Sequence, residues 1–218
     1  MRYLDLLTAL FATVLLVSNV ASTKLVVLGP FTFDGGTLLF PLAYIFGDVL
    51  TEVYGYRKSR RVSWIGFFAL LLATLTFQAV AHLPAPPDAE SQRFGEAFGL
   101  LLGLTPRIVL GSLLAYFLGE FANAYVLAKL KVRTEGRFFW LRALASTLVG
   151  QGLDTGVFLL VAFYGVFPKE VLLAVFLSNY AFKLGVEALM LPFTYAVVGF
   201  LKRAEGMDAY DRDTDFNP

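Results

Sequence analysis

Six apolar runs, each near the ~20 residues needed to cross the hydrocarbon core of a bilayer, leave this chain little choice of fold. They lie at about residues 4–23, 37–55, 62–82, 107–129, 138–164 and 171–201. Backbone in lipid must satisfy its own hydrogen bonds, so runs of this length become helices. The expected fold is an all-α integral membrane protein, a compact bundle of six transmembrane helices over residues 1–203. The first run is long for the apolar core of a signal peptide and is read as a span. Composition agrees, with 57% of residues hydrophobic, 16% charged and a mean hydropathy of +0.68. Soluble domains carry about a quarter of their residues as charges.

Lysine and arginine in the short loops set the orientation. Residues 56–61 hold Arg57, Lys58, Arg60 and Arg61 with no acid, and 129–137 hold Lys129, Lys131, Arg133 and Arg137 against Glu135. The intervening loops 24–36, 83–106 and 165–170 are poor in bases. Both basic loops fall on one side of a six-span bundle together with Arg2, Lys202 and Arg203, so both termini are expected in the cytoplasm. The segment 83–99 is rich in proline and has room for a short amphipathic piece around Phe94 and Phe98. Residues 204–218 form an acidic tail expected to be disordered.

Several function classes drop out. With no cysteine and only His82 as imidazole, disulfides, thiolate chemistry and histidine-rich metal sites are excluded, and no metal or cofactor is expected. A net charge of +1 gives no reason to expect nucleic-acid binding. The lipid bilayer is the expected surroundings.

Against this background the buried charges stand out. The second span holds Asp48 and Glu52, and the fourth holds Glu120 and Asn123. The fifth holds Arg142, Ser146, Gln151 and Asp154, the sixth Asn179, Lys183 and Glu187, and the first contributes Asn19. Ionisable groups inside a membrane each cost roughly 2.5–3.5 kcal/mol on insertion scales and normally face the bundle interior. Spacings of three and four place each set on one helix face, as Asp48 with Glu52 and Asn179 with Lys183 and Glu187. Depth along the helices suggests two layers. Asn19, Asp48, Gln151, Asp154, Asn179 and Lys183 form a central, substrate-binding layer, and Glu52, Glu120, Arg142 and Glu187 a charged gating network beneath it. Glu52 is also placed to pair with Arg57, Arg60 or Arg142 as an anchor. Gly111, Ala115 and Gly119 make a small-residue ridge that suits close packing inside the bundle or contact between two copies in a homodimer. Pro41 and Pro192 are candidate kinks, and Tyr44 and Phe158 candidate stacking platforms.

The stretches SNVASTK (18–24), FPLAYIFGDVLTEVYGYRKSRR (40–61), RALASTLVGQGLDTGVF (142–158) and SNYAFKLGVEALMLPFTY (178–195) resemble the queuosine precursor transporters, also called the vitamin uptake transporter family. The resemblance implies import of 7-deazaguanine precursors of the tRNA base queuosine, 7-cyano- or 7-aminomethyl-7-deazaguanine, across the bacterial inner membrane. Such a purine-like small molecule would offer N1–H and 2-amino donors to one carboxylate. Other readings are import of another vitamin or nucleobase-like nutrient, or an intramembrane aspartyl protease built on Asp48 and Asp154.

Overall fold

The computed structural model describes residues 1–28, 31–103 and 106–217. Residues 29–30, 104–105 and 218, which belong to two of the outer loops and the tail of the sequence reading, lie outside the described residues. The chain is α-helical, with α1 Leu4–Ala21, α2 Phe40–Tyr54, α3 Tyr56–Ala81, α4 Ala89–Leu102, α5 Pro106–Arg133, α6 Phe139–Phe163 and α7 Lys169–Glu205. Five of these, α1, α3, α5, α6 and α7, are long and apolar enough to cross a membrane. They match five of the six expected spans to within a few residues, apart from the first turns of α3.

The sixth expected span is α2, and at 15 residues it is only ~22 Å long at 1.5 Å per residue. It begins with Pro41 in its first turn, where proline lacks only a backbone N–H that has no partner anyway. Pro41 therefore starts this helix rather than kinking it, whereas Pro192 lies inside α7. The helix α2 packs against α1, α3, α5 and α7, and residues 47–56 are all buried. A short helix enclosed in this way carries its polar stripe into the centre of the bundle.

Two of the connecting segments carry regular structure, one of them the short helical piece expected around Phe94 and Phe98. Residues 25–28 and 31–34 pair as two antiparallel strands, β1 and β2, with Leu25 opposite Asp34. The proline-rich segment leads into α4, whose Asp88 N-cap accepts a hydrogen bond from the Ser91 N–H. That helix holds both Phe94 and Phe98.

The ends of the bundle meet. The backbone N–H groups of Arg2 and Tyr3 donate to the Glu205 carboxylate at 3.0 and 2.7 Å, and the Tyr54 hydroxyl donates to it at 2.9 Å. The start of α1, the end of α2 and the end of α7 therefore share one end of the bundle.

The ridge of small residues on α5 lies inside the bundle, against α6. A Cβ added at Gly119 would sit 2.8 Å from the Asp154 Cβ, and one at Gly150 would sit 2.8 Å from the Asn123 Cβ. These two glycines let the helices approach closely enough to bring their polar residues together.

The tail expected to be disordered makes specific contacts along residues 207–217. Ala209 N–H donates to the Val53 carbonyl at 3.2 Å, and Tyr56 N–H donates to Asp211 at 2.9 Å. The Phe216 ring lies 5.0 Å from that of Tyr56, with the Lys129 ammonium 3.8 Å from its centre. Acidic and aromatic side chains in the tail thus meet basic and aromatic partners that composition alone cannot locate.

Candidate functional site

Because α2 is enclosed by its neighbours, its two carboxylates are buried together, Asp48 at 0% and Glu52 at 1% exposure. One helical turn apart, they meet opposite surroundings.

Glu52 is surrounded by cations. Arg142 of α6 donates to both its oxygens, at 2.5 and 3.2 Å, and Lys202 of α7 reaches it at 2.7 Å. Lys131 of α5 lies 3.4 Å from the carboxylate and donates to the Glu52 backbone carbonyl at 2.5 Å. Asp208 from the tail then bridges Lys131 and Lys202 at 2.5 and 2.9 Å. Three cations meet two carboxylates, joining α2, α5, α6, α7 and the tail. Arg142 also donates to the carbonyls of Gly136 and Arg137. The α5–α6 connection can turn these carbonyls toward it because Glu135, Gly136 and Phe138 adopt positive φ. Of the three partners considered for Glu52, Arg142 is the one found. Arg60 instead donates to the carbonyls of Asp215 and Asn217. Lys131, Lys202 and Asp208 were missed because they read as ordinary charges of basic loops and an acidic tail.

Asp48 has no such set. Its Oδ1 accepts a hydrogen bond from Asn123 Nδ2 at 2.9 Å, and Asn123 is itself fully buried. Glu120, one turn along α5, packs against the α2 backbone at Gly47, where an added Cβ would lie 2.7 Å from its Oε1. Glu187 of α7 is 2% exposed and interacts electrostatically with Asp48, as does Glu120. Asp48 Oδ2, Glu120 Oε1, Asn123 Oδ1, Thr147 Oγ1, Gln151 Oε1 and Glu187 Oε1 are all buried without a hydrogen-bond partner among the described residues. A buried polar atom left unpaired costs ~1–3 kcal/mol, so six of them are a substantial unmet demand. Five of the six are carboxylate or amide oxygens, which seek donors. Thr147 was not singled out in the sequence, although it stands four residues before Gln151 on the same helix face.

The third group lies between α6 and α7. Lys183 pairs with Asp154 at 3.1 Å and reaches the Thr155 hydroxyl at 3.4 Å. These two charged side chains are 15% and 13% exposed, less enclosed than the Asp48 layer. Asp154 in turn interacts electrostatically with Glu120 across the close contact at Gly119. Beside this pair the Phe176 and Tyr180 rings are stacked at 5.4 Å and 15°, seated against Gly156 and Gly152 of α6. This aromatic pair was not foreseen. Of the two platforms that were, Tyr44 is buried within electrostatic reach of Asp154, Glu120 and Asp48, whereas Phe158 packs edge-on to Phe163.

The expected residues therefore come together in part. Asp48, Glu120, Gln151 and Glu187 belong to the buried layer, Asp154 and Lys183 to the pair bordering it, and Glu52 and Arg142 to the hub below. Asn179 is half-buried on α7, one turn before Lys183. Asn19 lies elsewhere, on a pocket of about 110 Å³ between α1, α3 and α4 with mostly apolar walls. That volume is below the ~300 Å³ at which small-molecule pockets begin. The two aspartates once considered as a protease dyad have different partners, Asn123 for Asp48 and Lys183 for Asp154.

Comparison with known proteins follows the same residues. Positions 34–197 match the family described as "Putative vitamin uptake transporter". That range contains all six unpartnered buried atoms and the Asp154–Lys183 pair. A Bacillus subtilis (strain 168) protein named "Probable queuosine precursor transporter" is 36% identical over 188 residues, 85% of this chain and 80% of that protein. The "Queuosine precursor transporter" of Escherichia coli (strain K12) is 26% identical over 168 residues, 75% and 71% of the two chains. A "Probable queuosine precursor transporter" of Haemophilus influenzae is 25% identical over 166 residues, 75% and 67% of the two chains. No solved structure matches.

Proposed function

This chain belongs to the vitamin uptake transporter family, and from that premise we propose that it imports queuosine precursors across the bacterial inner membrane and catalyses no reaction. The substrates are 7-cyano-7-deazaguanine, 7-aminomethyl-7-deazaguanine or both. The observation that carries this reading is the layer of buried oxygens without donors, bordered by one acid–base pair. A deazaguanine suits the pair and brings donors to the edge of the layer. Its N1–H and 2-amino group lie side by side and suit the Asp154 carboxylate, its O6 suits the Lys183 ammonium, and further donors suit Gln151. The stacked Phe176–Tyr180 pair and the buried Tyr44 offer aromatic surface for a flat base. Asp48 closes the inner side of this site, Asn179 its α7 flank, and the Glu52–Arg142 hub holds the helices beneath. Adenine-like bases present an acceptor where guanine presents N1–H, and leave the carboxylate unmatched.

The same reading includes six spans with both ends in the cytoplasm. Five long helices alone would place Tyr3 and Glu205 on opposite faces of the membrane, yet they are hydrogen-bonded. A crossing by α2 and the turn before it restores an even count.

The test is accumulation of labelled 7-cyano-7-deazaguanine in cells unable to synthesise it, with and without this protein. Accumulation that requires the protein supports the reading. Its absence, with the protein present in the membrane, removes this substrate and leaves other flat nitrogenous nutrients to be tried.

A further inference from the structure

The hydrogen-bond pattern around Asp48 has a gap the size of one proton. Asn123 Nδ2 donates to Asp48 Oδ1 at 2.9 Å, so the amide and the carboxylate are in direct contact. The second oxygen of each, Asp48 Oδ2 and Asn123 Oδ1, is buried and without a partner. Two acceptor oxygens on adjacent groups cannot satisfy each other. A carboxylic acid and a primary amide can, as a ring of two hydrogen bonds in which the acid O–H donates to the amide oxygen. One proton on Asp48 would turn the carboxylate into a donor for the amide oxygen it adjoins.

The charges around Asp48 point the same way. On its own helix stand Tyr44 and Glu52, the latter already engaged by Arg142, Lys131 and Lys202. From α5 come Tyr116, Glu120 and Asn123, and from α7 come Glu187 and Lys183, the latter paired with Asp154 of α6. The buried residues of α1 are Leu7, Phe11, Leu15 and Ser18, and the buried polar ones of α3 are Tyr56, Ser59 and Ser63. Asp48 thus faces two other buried carboxylates, Glu120 and Glu187, and among the described residues no cation pairs with any of the three. A metal ion would need the acids to converge on it, but among the described residues no three acidic or imidazole groups are placed to share one. A proton needs only one of them and its neighbour's acceptor.

We propose that Asp48, held by Asn123, is a proton-binding site that couples import to proton entry, with Asp154, Glu120 and Glu187 as the carboxylates along which the proton arrives and leaves. The inference rests on the import reading. In each cycle the Asp48 carboxylate takes one H⁺ from the outer side, becomes a neutral acid bonded to Asn123 Oδ1, and releases that H⁺ to the cytoplasm after the neutral base has left. One positive charge enters per substrate.

The experiment uses the purified full chain in liposomes containing a trapped pH dye, with the membrane potential clamped and labelled 7-cyano-7-deazaguanine outside. Substrate addition should acidify the interior, and an inward gradient of one pH unit should raise steady-state accumulation about tenfold. Asp48→Asn should abolish both responses, whereas Asp48→Glu should retain part of each. Infrared spectra of the same protein without substrate should contain a protonated-carboxyl band that is missing in Asp48→Asn. Label that enters without acidification and ignores the gradient would overturn the coupling while leaving import intact. If no label enters, import and its coupling both fail, and the infrared band alone decides whether Asp48 holds a proton. Its absence from the wild type would overturn the site itself.

Discussion

Arg142 holds Glu52 through two guanidinium nitrogens, at 2.5 and 3.2 Å, with both side chains at most 1% exposed. Removing one member of a buried ion pair typically costs ~3–5 kcal/mol because the other is left uncompensated. Lys131 and Lys202 still neutralise Glu52 when Arg142 is gone, so Arg142→Met should cost less than Glu52→Gln, which leaves three cations with only the half-exposed Asp208 to balance them. Thermal unfolding in detergent should rank them in that order. The double variant should be less destabilised than the sum of the singles by ~0.5–3 kcal/mol, and strict additivity would argue that the pair is not coupled.

The close approach of α5 and α6 makes a second prediction. Gly119→Ala places a Cβ 2.8 Å from the Asp154 Cβ and 2.9 Å from the Gly150 carbonyl, where nothing flexible can yield. Overpacking of this kind costs ~1–3 kcal/mol. Gly185→Ala on α7 meets nothing within 4 Å and should be neutral or stabilising by up to ~1 kcal/mol from helix propensity. Melting temperatures of the two variants should move in opposite directions, or only the first should move.

Asp208 gives the tail a pH signature. Burial disfavours its charged form, but hydrogen bonds from Lys131 and Lys202 outweigh that and hold its carboxyl below the ordinary range. A carboxyl depressed in the folded state adds stability above its unfolded pKa of ~3.9 and loses it as pH falls through the folded value. Stability contributed by Asp208 should therefore be complete near neutral pH and fade below about pH 4. With the side chain 42% exposed, solvent screening limits the effect to about 1 kcal/mol or less. Asp208→Asn should remove that portion of the acid dependence, and protease cleavage within residues 207–217 should become faster in the same variant.

Topology is open to a direct check. Reporter fusions at the N-terminus and after Glu205 should give the same answer, because Tyr3 and Glu205 share a hydrogen bond, and that answer should be the cytoplasm, because the basic loops favour that side. A five-span protein would give opposite answers.

How much of this was legible in the sequence depends on the range of the signal. Helix positions followed from apolar runs, and the inward polar stripes from spacings of three and four, since both are properties of one helix read alone. The pairing of Arg142 with Glu52 was within reach because span depth put both in one layer. Lys131, Lys202 and Asp208 were not, because a lysine at a helix end looks the same whether it meets lipid headgroups or a buried carboxylate. Asn19 is the converse case: its depth matched the layer, but it lines a pocket with residues of α3 and α4. The Phe176–Tyr180 stack hid among many aromatic residues, 22 of them phenylalanine. What singles it out is contact with Gly152 and Gly156 on another helix.

In the proposed transport site, the substrate binds where Asp154 and Lys183 border the unpartnered oxygens. The most direct test is uptake of labelled 7-cyano-7-deazaguanine by cells carrying Asp154→Asn or Lys183→Ala, with the amount of each variant in the membrane measured alongside. Loss of a charged hydrogen bond to substrate is worth ~1.5–3 kcal/mol, so each variant should take up roughly ten- to a hundredfold less at low substrate concentration while reaching the membrane at the wild-type level. Uptake at the wild-type rate in both variants would place the binding site elsewhere in the bundle.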